Sequence, residues 1–403
     1  MSLTEAQLLD DVRQRLFSPT RSPHPRAIGL ELELIPVHRS DHARAFATKG
    51  ERTSTADVLS LLGRREGWRE QSSGGDPPSW VTQDGASISF EPGGQIEMST
   101  APQPTASGVI DSTKNLVAML HDEMSNAGIE LLARGVDPYN DIAAVPLQLH
   151  RDRYTGMTRY FDSIGPSGVQ MMRQTAALQI NLERGEEPKS RWRLLNSLAP
   201  IVVALFANSR QYAGKRTEWA SYRAHLWRTL DPSRTGIIYD ETAHVERYLG
   251  FALDAIAMRS GPDGTPYRTF REWMTDPAVN KEDWLFHLST LFPEVRPKEF
   301  FELRSADTID SDTLAAPVVF VTGLVYDEES SHRANELIGP PSEKMLERGG
   351  RLGLADPEIR RIASRLVVLA LDGGRRLGGD YLRRVHLEAA YKYFAGALAA
   401  NEV

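Results

Sequence analysis

Glutamates occur at strand spacing in two segments of the first hundred residues. In I-G-L-E-L-E-L, apolar residues alternate with Glu31 and Glu33, so both carboxylates project from the same face of a predicted strand. In I-S-F-E-P-G-G-Q-I-E-M-S, the same alternation sets Glu91 and Glu97 opposite apolar side chains. Carboxylates gathered on strand faces are candidates for metal binding or for acid–base chemistry.

Two later segments follow the same rule. In T-A-A-L-Q-I-N-L-E, Gln179 and Asn181 face away from the apolar side chains. In F-F-E-L-R, Glu302 and Arg304 share one strand face. Four strands therefore each present oxygen ligands or a guanidinium on a polar face. If these strands belong to one sheet, five glutamates converge on one surface.

So many carboxylates stay ionised at short range only when cations offset their repulsion. Ligation by oxygen alone points to Mg²⁺ or Mn²⁺ rather than to zinc. Magnesium held by a few carboxylates completes its shell with substrate phosphates, so a nucleotide is the expected partner. The alternative is that each strand is simply amphipathic, as half-buried strands usually are, and only the recurrence across four strands favours a site.

An arginine-rich aromatic stretch, W-A-S-Y-R-A-H-L-W-R-T-L-D-P-S-R-T-G, supplies candidate ligands for anions. Arg223, Arg228 and Arg234 could each hold a carboxylate or phosphate in bidentate fashion. The alternative is a solvated helix and turn with aromatic anchors in the core. The sequence contains no Walker loop, so a phosphate-transferring enzyme built on this chain must hold its nucleotide through metal and arginine.

The elements that must position these residues alternate irregularly between strands and helices. This order predicts an α+β fold with a mostly antiparallel sheet rather than repeated βαβ units. We predict that everything after residue 315 is helical, that Pro200 kinks a long helix, and that residues 71–79 form a loop. No domain boundary stands out. We therefore interpret residues 1–403 as one catalytic domain, with C-terminal helices from about residue 340 packing on it.

The composition excludes several classes of protein. The chain has 403 residues, of which 25% are charged and 41% hydrophobic, and a formal net charge of −7, which argues against a general nucleic-acid binder. The longest apolar runs are too short to span a bilayer and the N-terminus has no signal-peptide pattern, so no membrane association and a cytoplasmic location are expected. The absence of cysteine excludes disulfides, thiolate metal sites and a cysteine nucleophile.

Taken in order, the motifs strongly resemble those of plant-type glutamate–cysteine ligase, a family that also includes actinobacterial enzymes of ergothioneine synthesis. The motifs that carry the resemblance are I-G-L-E-L-E, F-E-P-G-G-Q-I-E-M-S-T-A-P, Q-I-N-L-E, P-I-V-V-A-L-F-A-N-S, R-A-H-L-W, D-P-S-R-T-G, H-L-S-T-L-F-P-E-V-R and F-E-L-R-S-A-D. They run from about residue 26 to residue 330, and the likeness continues more weakly into the C-terminal helices.

The resemblance implies a glutamine-synthetase-like carboxylate–amine ligase fold, with a curved antiparallel sheet forming a funnel backed by helices. It also implies that ATP phosphorylates the γ-carboxylate of glutamate, and that the amine of cysteine then attacks the acyl phosphate. The implied cofactors are ATP and Mg²⁺, with Mn²⁺ as a substitute, and the implied role is thiol biosynthesis leading to glutathione or ergothioneine. A monomer or a weak homodimer is expected.

The resemblance also assigns roles to single residues. Arg304 would clamp the transferred phosphate, Arg223 would bind the glutamate carboxylate, and Trp227 would pack nearby. Asn181 and Arg234 are further candidate substrate ligands. The remaining assignments are the magnesium ligands Glu31, Glu33, Glu91, Glu97 and Glu302, with Gln179 or Asn181 completing a shell; Glu302, Arg304 and Arg223 would form the catalytic group.

Three other functions remain open at this point. A ligase with the same mechanism could use another amine acceptor or another acid donor. The acceptor is open because residues 133–154 match the family loosely and loops of that kind often help to choose it. A glycoside hydrolase would use two carboxylates as acid and base, but five clustered glutamates beside arginines fit that poorly. A catalytically inactive sensor would bind glutamate or ATP without turnover.

Overall fold

The computed structural model describes residues 3–20, 22–48, 50, 52–261 and 265–400. The strands are β1 (Ile28–His38), β2 (Arg69–Ser73), β3 (Asp76–Val81), β4 (Ser87–Phe90), β5 (Ile96–Ser99), β6 (Ile129–Leu132), β7 (Ala177–Leu182), β8 (Gln211–Tyr212), β9 (Lys215–Arg216), β10 (Thr235–Gly236), β11 (Phe292–Pro293), β12 (Val295–Pro297) and β13 (Phe301–Asp307). The helices are α1 (Glu5–Asp11), α2 (Thr55–Glu66), α3 (Ala106–Asn126), α4 (Asp152–Asp162), α5 (Pro166–Gln174), α6 (Pro188–Leu205), α7 (Tyr222–Thr229), α8 (His244–Asp254), α9 (Phe270–Trp273), α10 (Lys281–Ser289), α11 (Ala315–Val325), α12 (Glu328–Ile338), α13 (Glu343–Leu352), α14 (Pro357–Arg376) and α15 (Arg384–Ala399).

Nine of these strands form one antiparallel sheet in the order β12-β13-β7-β1-β5-β4-β3-β2, with β6 paired to the second half of β1. The centre of this sheet is β1, which pairs with β7 and with β5. Its alternating sequence explains this place, because Leu30, Leu32 and Leu34 are buried in the core while Glu31 and Glu33 lie on the opposite face. The sheet thus brings all four predicted strand segments together.

Helices cover the apolar face of the sheet. Every residue of α11 is buried, and this helix packs against α14 and α15. A long helix, α6, continues from Pro188 to Leu205 with Pro200 inside it, and it packs against β13. These helices leave the polar face of β1, β7 and β13 free to form a site.

The α+β class and the mostly antiparallel sheet are confirmed, as are the helices after residue 315. The prediction of a loop at residues 71–79 was wrong, because β2 and β3 form a hairpin there. The polar sequence of this hairpin does not indicate a strand, because β2 lies at the edge of the sheet and needs no apolar face. The organisation as a single domain stays a prediction.

No helix in the described part of the chain is both long enough and apolar enough to cross a membrane.

Candidate active site

A cavity of about 320 Å³ lies on the polar face of the sheet. Its lining combines acidic, basic and apolar side chains contributed by the sheet, by α4, by α5 and by α7. Among the predicted site residues, the cavity is lined by Glu31, Glu33, Glu91, Glu97, Gln179, Arg223, Trp227 and Arg304. The structure therefore brings together residues that are up to 273 positions apart in the sequence, Glu31 and Arg304 being the extremes.

The acidic side of the cavity is built by β1 and β5. The strand register sets Glu33 directly opposite Glu97, and Glu31 opposite Ser99. Cross-strand neighbours share a sheet face, so the carboxylates of Glu31, Glu33 and Glu97 lie close together. The hydroxyl of Ser99 donates to Glu97 Oε1 at 3.3 Å, which holds that carboxylate in the cavity.

Burial and mutual repulsion keep protons on this acidic side. Burial, reinforced by the Glu97 carboxylate, raises the pKa of Glu33 to about 7. Burial and the neighbouring Glu31 raise the pKa of Glu97 to about 7. Burial, together with Glu97 and Glu33, raises the pKa of Glu91 well above its ordinary value. Ionising several of these carboxylates at once is therefore unfavourable unless a cation joins them.

A tight turn after β4 places Glu91 in the cavity. In this turn Gly94 has a φ of +79°, and a Cβ on Gly93 would lie 2.0 Å from the carbonyl oxygen of Arg173. The Gly93 carbonyl accepts hydrogen bonds from Gln148 Nε2 at 2.8 Å and from Arg44 Nη2 at 3.1 Å. Close backbone approach therefore requires the glycine pair that the sequence places beside Glu91.

Amide side chains of β7 separate the acidic side from the basic side. The Nδ2 of Asn181 donates to Glu31 Oε1 at 3.0 Å, and the Nε2 of Gln179 donates to Glu33 Oε1 at 3.2 Å. The side-chain Oε1 of Gln179 accepts a hydrogen bond from Arg304 Nη1. Both amides thus position charged groups; their predicted role in completing a metal shell stays a prediction.

The basic side of the cavity is anchored on Glu302, which lies fully buried beneath the cavity wall. Arg296 binds its carboxylate through two hydrogen bonds of 2.7 and 3.0 Å, and Lys298 and Arg304 bind it as well. Although burial acts in the opposite direction, these cations hold the pKa of Glu302 well below its ordinary value. Three cations against one carboxylate leave this wall with a positive excess.

A β-bulge in β13 brings a further carboxylate to the site. The register with β7 shifts by one residue between Leu303 and Ala306, so Ala306 joins Leu303 in the core. Asp307 consequently turns toward the cavity side, where its Oδ1 lies 3.9 Å from Arg223 Nη1. Strict alternation from Glu302 would have placed Asp307 in the core, so only the bulge makes this ion pair.

The two predicted anion-binding arginines flank one aromatic ring. The guanidinium carbons of Arg223 and Arg304 lie 5.4 and 5.1 Å from the ring centre of Trp227. Arg223 Nη2 donates to the Arg304 carbonyl at 2.8 Å. The Nε atoms of both arginines and the indole Nε1 of Trp227 are buried and have no acceptor within the part of the chain that the structure describes. The wall therefore offers unused hydrogen-bond donors to a ligand.

Comparison with known proteins identifies the family. Residues 27–402 match the family described as glutamate-cysteine ligase family 2. The chain belongs to this family. It is 32% identical over 351 residues to the chloroplastic glutamate–cysteine ligase of Brassica juncea, covering 80% of this chain and 67% of that protein. It is 33% identical over 328 residues to glutamate–cysteine ligase A of Oryza sativa subsp. japonica, covering 74% and 65%.

This member of glutamate-cysteine ligase family 2 spans about two thirds of the length of those plant relatives. A solved structure described as the glutamate–cysteine ligase of Francisella tularensis in complex with AMP superposes with a TM-score of 0.55 at 12% identity. The superposition covers 96% of this chain and 84% of that one. At this identity the likeness shows the fold alone, and it agrees with the predicted carboxylate–amine ligase fold.

Within this ligase fold, Arg234 is not part of the cavity. It is fully buried, where its Nε donates to Asp231 Oδ2 at 2.7 Å and its other nitrogens donate to the carbonyls of Thr290 and Ile256. Its contacts tie the turn after α7 to α10. We therefore correct the predicted role of Arg234 from substrate binding to support of the fold.

Sequence reasoning missed three basic residues of the ligase cavity, Arg296, Lys298 and Arg153. Arg296, on β12, lies within the motif H-L-S-T-L-F-P-E-V-R, but no role was assigned to it. Arg153 lies at the start of α4, in the loosely matching segment 133–154, and its Nε is buried without an acceptor. A short run of three residues such as β12 carries too little alternation to reveal which way its arginine faces.

The acidic side suits a divalent cation by its chemistry. No group of three or more His, Cys, Asp or Glu side chains in the described residues is arranged to hold a metal ion as it stands. Mg²⁺, however, is commonly held by one or two carboxylates together with substrate phosphates. Glu33 and Glu97 are hard oxygen donors, and burial together with their carboxylate neighbours raises their pKa values, so a bound cation would favour their ionised forms. These residues therefore fit such an ion.

Proposed function

We propose that this chain joins the γ-carboxylate of glutamate to the amine of L-cysteine and converts ATP to ADP and phosphate. The observation that carries the proposal is the ordered change of charge across neighbouring strands. Basic side chains on β12 and β13 give way to amides on β7 and then to carboxylates on β1 and β5. A triphosphate beside a divalent cation presents the complementary order of charge.

The basic side of the cavity, called the basic wall below, supports the binding of phosphate. Arg296, Lys298 and Arg304 share the counter-charge of Glu302, and Lys298 also lies 3.9 Å from Glu31 Oε1. Arg153 adds a fourth cation, whose guanidinium donates to the Ser289 carbonyl at 2.9 Å. Removing this excess positive charge from water is unfavourable unless an anion enters. A polyphosphate with several acceptor oxygens meets this requirement and the unused donors at the same time.

A neighbouring cavity of about 340 Å³ extends this wall toward the surface. It shares Arg153, Arg296 and Lys298 with the active-site cavity and adds the apolar surfaces of Tyr248 and Leu288. Cations at one end and apolar walls at the other match the two halves of a nucleotide. We therefore assign the triphosphate to the shared cations and the nucleoside to this cavity.

The assignment of glutamate rests on Arg223 and Trp227. Arg223 is almost fully buried, lines the cavity and has an Nε without an acceptor. Asp307 lies 3.9 Å from its Nη1, and its Nη2 donates to the Arg304 carbonyl at 2.8 Å, which leaves the Nε–H as the donor for a carboxylate of the substrate. With that carboxylate fixed, the γ-carboxylate of glutamate reaches toward Arg304 and the phosphate-binding wall.

The reaction then follows from these positions. A γ-carboxylate oxygen of glutamate attacks the terminal phosphorus of ATP, and the bond to ADP breaks as the acyl–phosphate bond forms. The amine of the acceptor next attacks the acyl carbon, phosphate leaves, and the nitrogen loses one proton. Arg304 and Arg296 stabilise the negative charge on the transferred group, because phosphoryl transfer depends mainly on positioning and electrostatics.

Mg²⁺ would be held by Glu33 and Glu97, with Glu31 and Glu91 adjacent. When bound, such an ion neutralises phosphate charge and fixes the orientation of the phosphate chain. Glu302 is a less suitable ligand, because three cations already occupy its oxygens. We keep Glu302 as the residue that positions Arg304 and Arg296, and a metal-binding role for it stays a prediction.

The amine acceptor is the feature that most needs an experiment. Purified protein is incubated with Mg²⁺-ATP and glutamate, with and without a panel of amines, and ADP and the coupled product are measured. We expect cysteine to stimulate ADP release most strongly and γ-glutamylcysteine to appear, as required of an enzyme that supplies glutathione or ergothioneine synthesis. Stimulation only by another amine would replace cysteine as the acceptor. Binding of glutamate and ATP without ADP release would instead favour a sensor.

A further inference from the structure

A second cavity, of about 440 Å³, shares no lining residue with the active-site cavity. It lies between the C-terminal end of α6, the segment 207–211 and the C-terminal helix α15. Two exposed arginines, Arg134 and Arg210, line it, and no acidic side chain of the described residues does. We call this space the distal cavity.

The distal cavity has the chemistry of a site for an organic anion. Among the described residues, Arg134 donates to the carbonyl of its own neighbour Ala133 alone, at 2.9 Å, so its guanidinium keeps donors for a ligand. Leu205 and Leu354 provide apolar surface. At the end of α6, the Tyr393 hydroxyl donates to the Leu205 carbonyl at 2.9 Å and so satisfies one carbonyl beside the cavity. Two guanidiniums above an apolar floor suit an oxyanion attached to an apolar body.

Hydrogen bonds connect Arg134 to the floor of the distal cavity. Asn208 also lines this cavity. Its side-chain Nδ2 donates to the Ala133 carbonyl at 2.8 Å, and its backbone carbonyl accepts from the Gly135 backbone N–H at 3.1 Å. The backbone on either side of Arg134 is therefore fixed to Asn208. A ligand that shifts the backbone at Arg134 would also shift Asn208.

The same segment is bonded to the active site. Asp307 accepts hydrogen bonds from the backbone N–H of Asn208 and from the Ser209 hydroxyl, both at 2.7 Å. The Ser209 hydroxyl in turn accepts from the backbone N–H of Arg223 at 3.1 Å, and Asp307 faces the Arg223 guanidinium. One residue thus separates the floor of the distal cavity from the arginine assigned to glutamate.

We propose that the distal cavity binds a small organic carboxylate or phosphate through Arg134 and Arg210, and that its occupancy changes the affinity for glutamate through Asn208, Asp307 and Arg223. The binding site stands independently of the catalytic reaction. The effect on glutamate rests on the proposed function, because it requires Arg223 to contact that substrate. By linkage, glutamate changes the affinity for the anion by the same factor.

The binding part is tested by titrating the full chain with benzoate, phenyl phosphate and uncharged benzyl alcohol in a calorimeter. At least one anion should bind saturably and benzyl alcohol should not; the preferred anion separates a carboxylate ligand from a phosphate ligand. The double variant Arg134→Gln/Arg210→Gln should raise the Kd at least tenfold, whereas Arg64→Gln/Arg247→Gln, at two exposed arginines elsewhere, should not. Equal binding by both double variants, or no saturable anion binding, overturns the site.

The coupling is tested by measuring the glutamate Kd with and without a saturating amount of the anion that binds. A change of at least threefold that disappears in Arg134→Gln/Arg210→Gln is expected, with basal activity unchanged in that variant. An unchanged glutamate Kd overturns the coupling. If the protein does not bind glutamate at all, the proposed function fails, whereas the anion titration still decides the site.

Discussion

Each glutamate of the cavity has a different electrostatic environment, although the side chains are the same. Glu302 is surrounded by cations and stays ionised, whereas Glu97 faces other carboxylates and has a pKa of about 7. The difference follows from which neighbouring strand each residue faces. Residues of the first kind position other groups, and residues of the second kind are ready to accept a cation.

Exchange of Glu97 for glutamine should separate activity from stability. ADP formation should fall at least a hundredfold, because a metal-binding carboxylate is lost. The free energy of unfolding at pH 8 without metal should not fall, since the change removes one of several repelling buried charges. Urea unfolding and an ADP assay measure the two effects. Glu186→Gln, at an exposed glutamate, is the control, and an active Glu97→Gln enzyme would remove Glu97 from the proposed metal site.

Exchange of Arg223 for lysine should affect the use of glutamate selectively. Lysine keeps a positive charge opposite Asp307 but loses the Nε–H that is left to bind a carboxylate. The KM for glutamate should rise at least tenfold, and the KM for ATP should stay within twofold. Arg228→Lys, on the same helix but paired with Glu343, should change neither. A rise in the KM for ATP alone would mean that Arg223 contacts the nucleotide instead.

At the scale of elements, alternation in the sequence predicted the strand faces but not their irregularities. The side-chain period of two correctly set Glu31 and Glu33 on one face, and their meeting with Glu97 followed once β1 and β5 paired. Asp307 was missed, because a bulge inserts one residue and reverses the alternation after Leu303. Bulges arise from strand pairing between distant segments, so local patterns do not reveal them.

The position of Arg153 could not be predicted for a related reason. It is carried by a helix after an irregular segment, and only tertiary contacts decide where that helix begins. Gln148, almost fully buried in this segment, donates from its backbone N–H to the Pro92 carbonyl at 2.7 Å. This bond joins the segment to the turn that carries Glu91. The contact between Gln148 and the turn, which we call the junction, thus helps to position both Glu91 on the acidic side and Arg153 on the basic side.

Exchange of Gly93 for alanine tests that junction. An added Cβ would overlap the Arg173 carbonyl, so the turn must shift, and we expect a loss of about 2 kcal/mol in the free energy of unfolding. ADP formation should fall more than this loss explains, because Glu91 is displaced. Gly396→Ala, in α15 where a Cβ meets no atom within 4 Å, should leave the activity unchanged. Full activity of Gly93→Ala would show that the turn tolerates movement.

At the scale of the whole molecule, the core also contains a group that sets its sensitivity to acid. His287 on α10 is buried, contacts the Ala252 carbonyl through its Nε2 at 2.7 Å, and stacks on Phe270. Burial lowers the pKa of His287 to about 3. The unfolded chain binds a proton at this histidine below about pH 6.5, whereas the folded chain does not. Stability is therefore fully present above pH 6.5 and falls progressively between pH 6.5 and 3.

His287→Gln should flatten the dependence of the free energy of unfolding on pH between 6.5 and 5. One titrating group contributes at most about 1.4 kcal/mol for each pH unit in this range. Urea denaturation at several pH values measures the slope in wild type and variant. His332→Gln, at a histidine with 76% of its side chain exposed, should keep the wild-type slope. An unchanged slope in His287→Gln would show that other groups govern acid sensitivity.

The central claim is that the cavity transfers phosphate to the γ-carboxylate of glutamate before the amine attacks. The most direct test supplies glutamate labelled with ¹⁸O in its γ-carboxylate, together with Mg²⁺-ATP and cysteine, and analyses the released phosphate by mass spectrometry. Our account predicts one ¹⁸O atom in each phosphate released and an equal amount of γ-glutamylcysteine. Product that forms while the phosphate stays unlabelled would contradict an acyl-phosphate route and the assignment of the basic wall built on it.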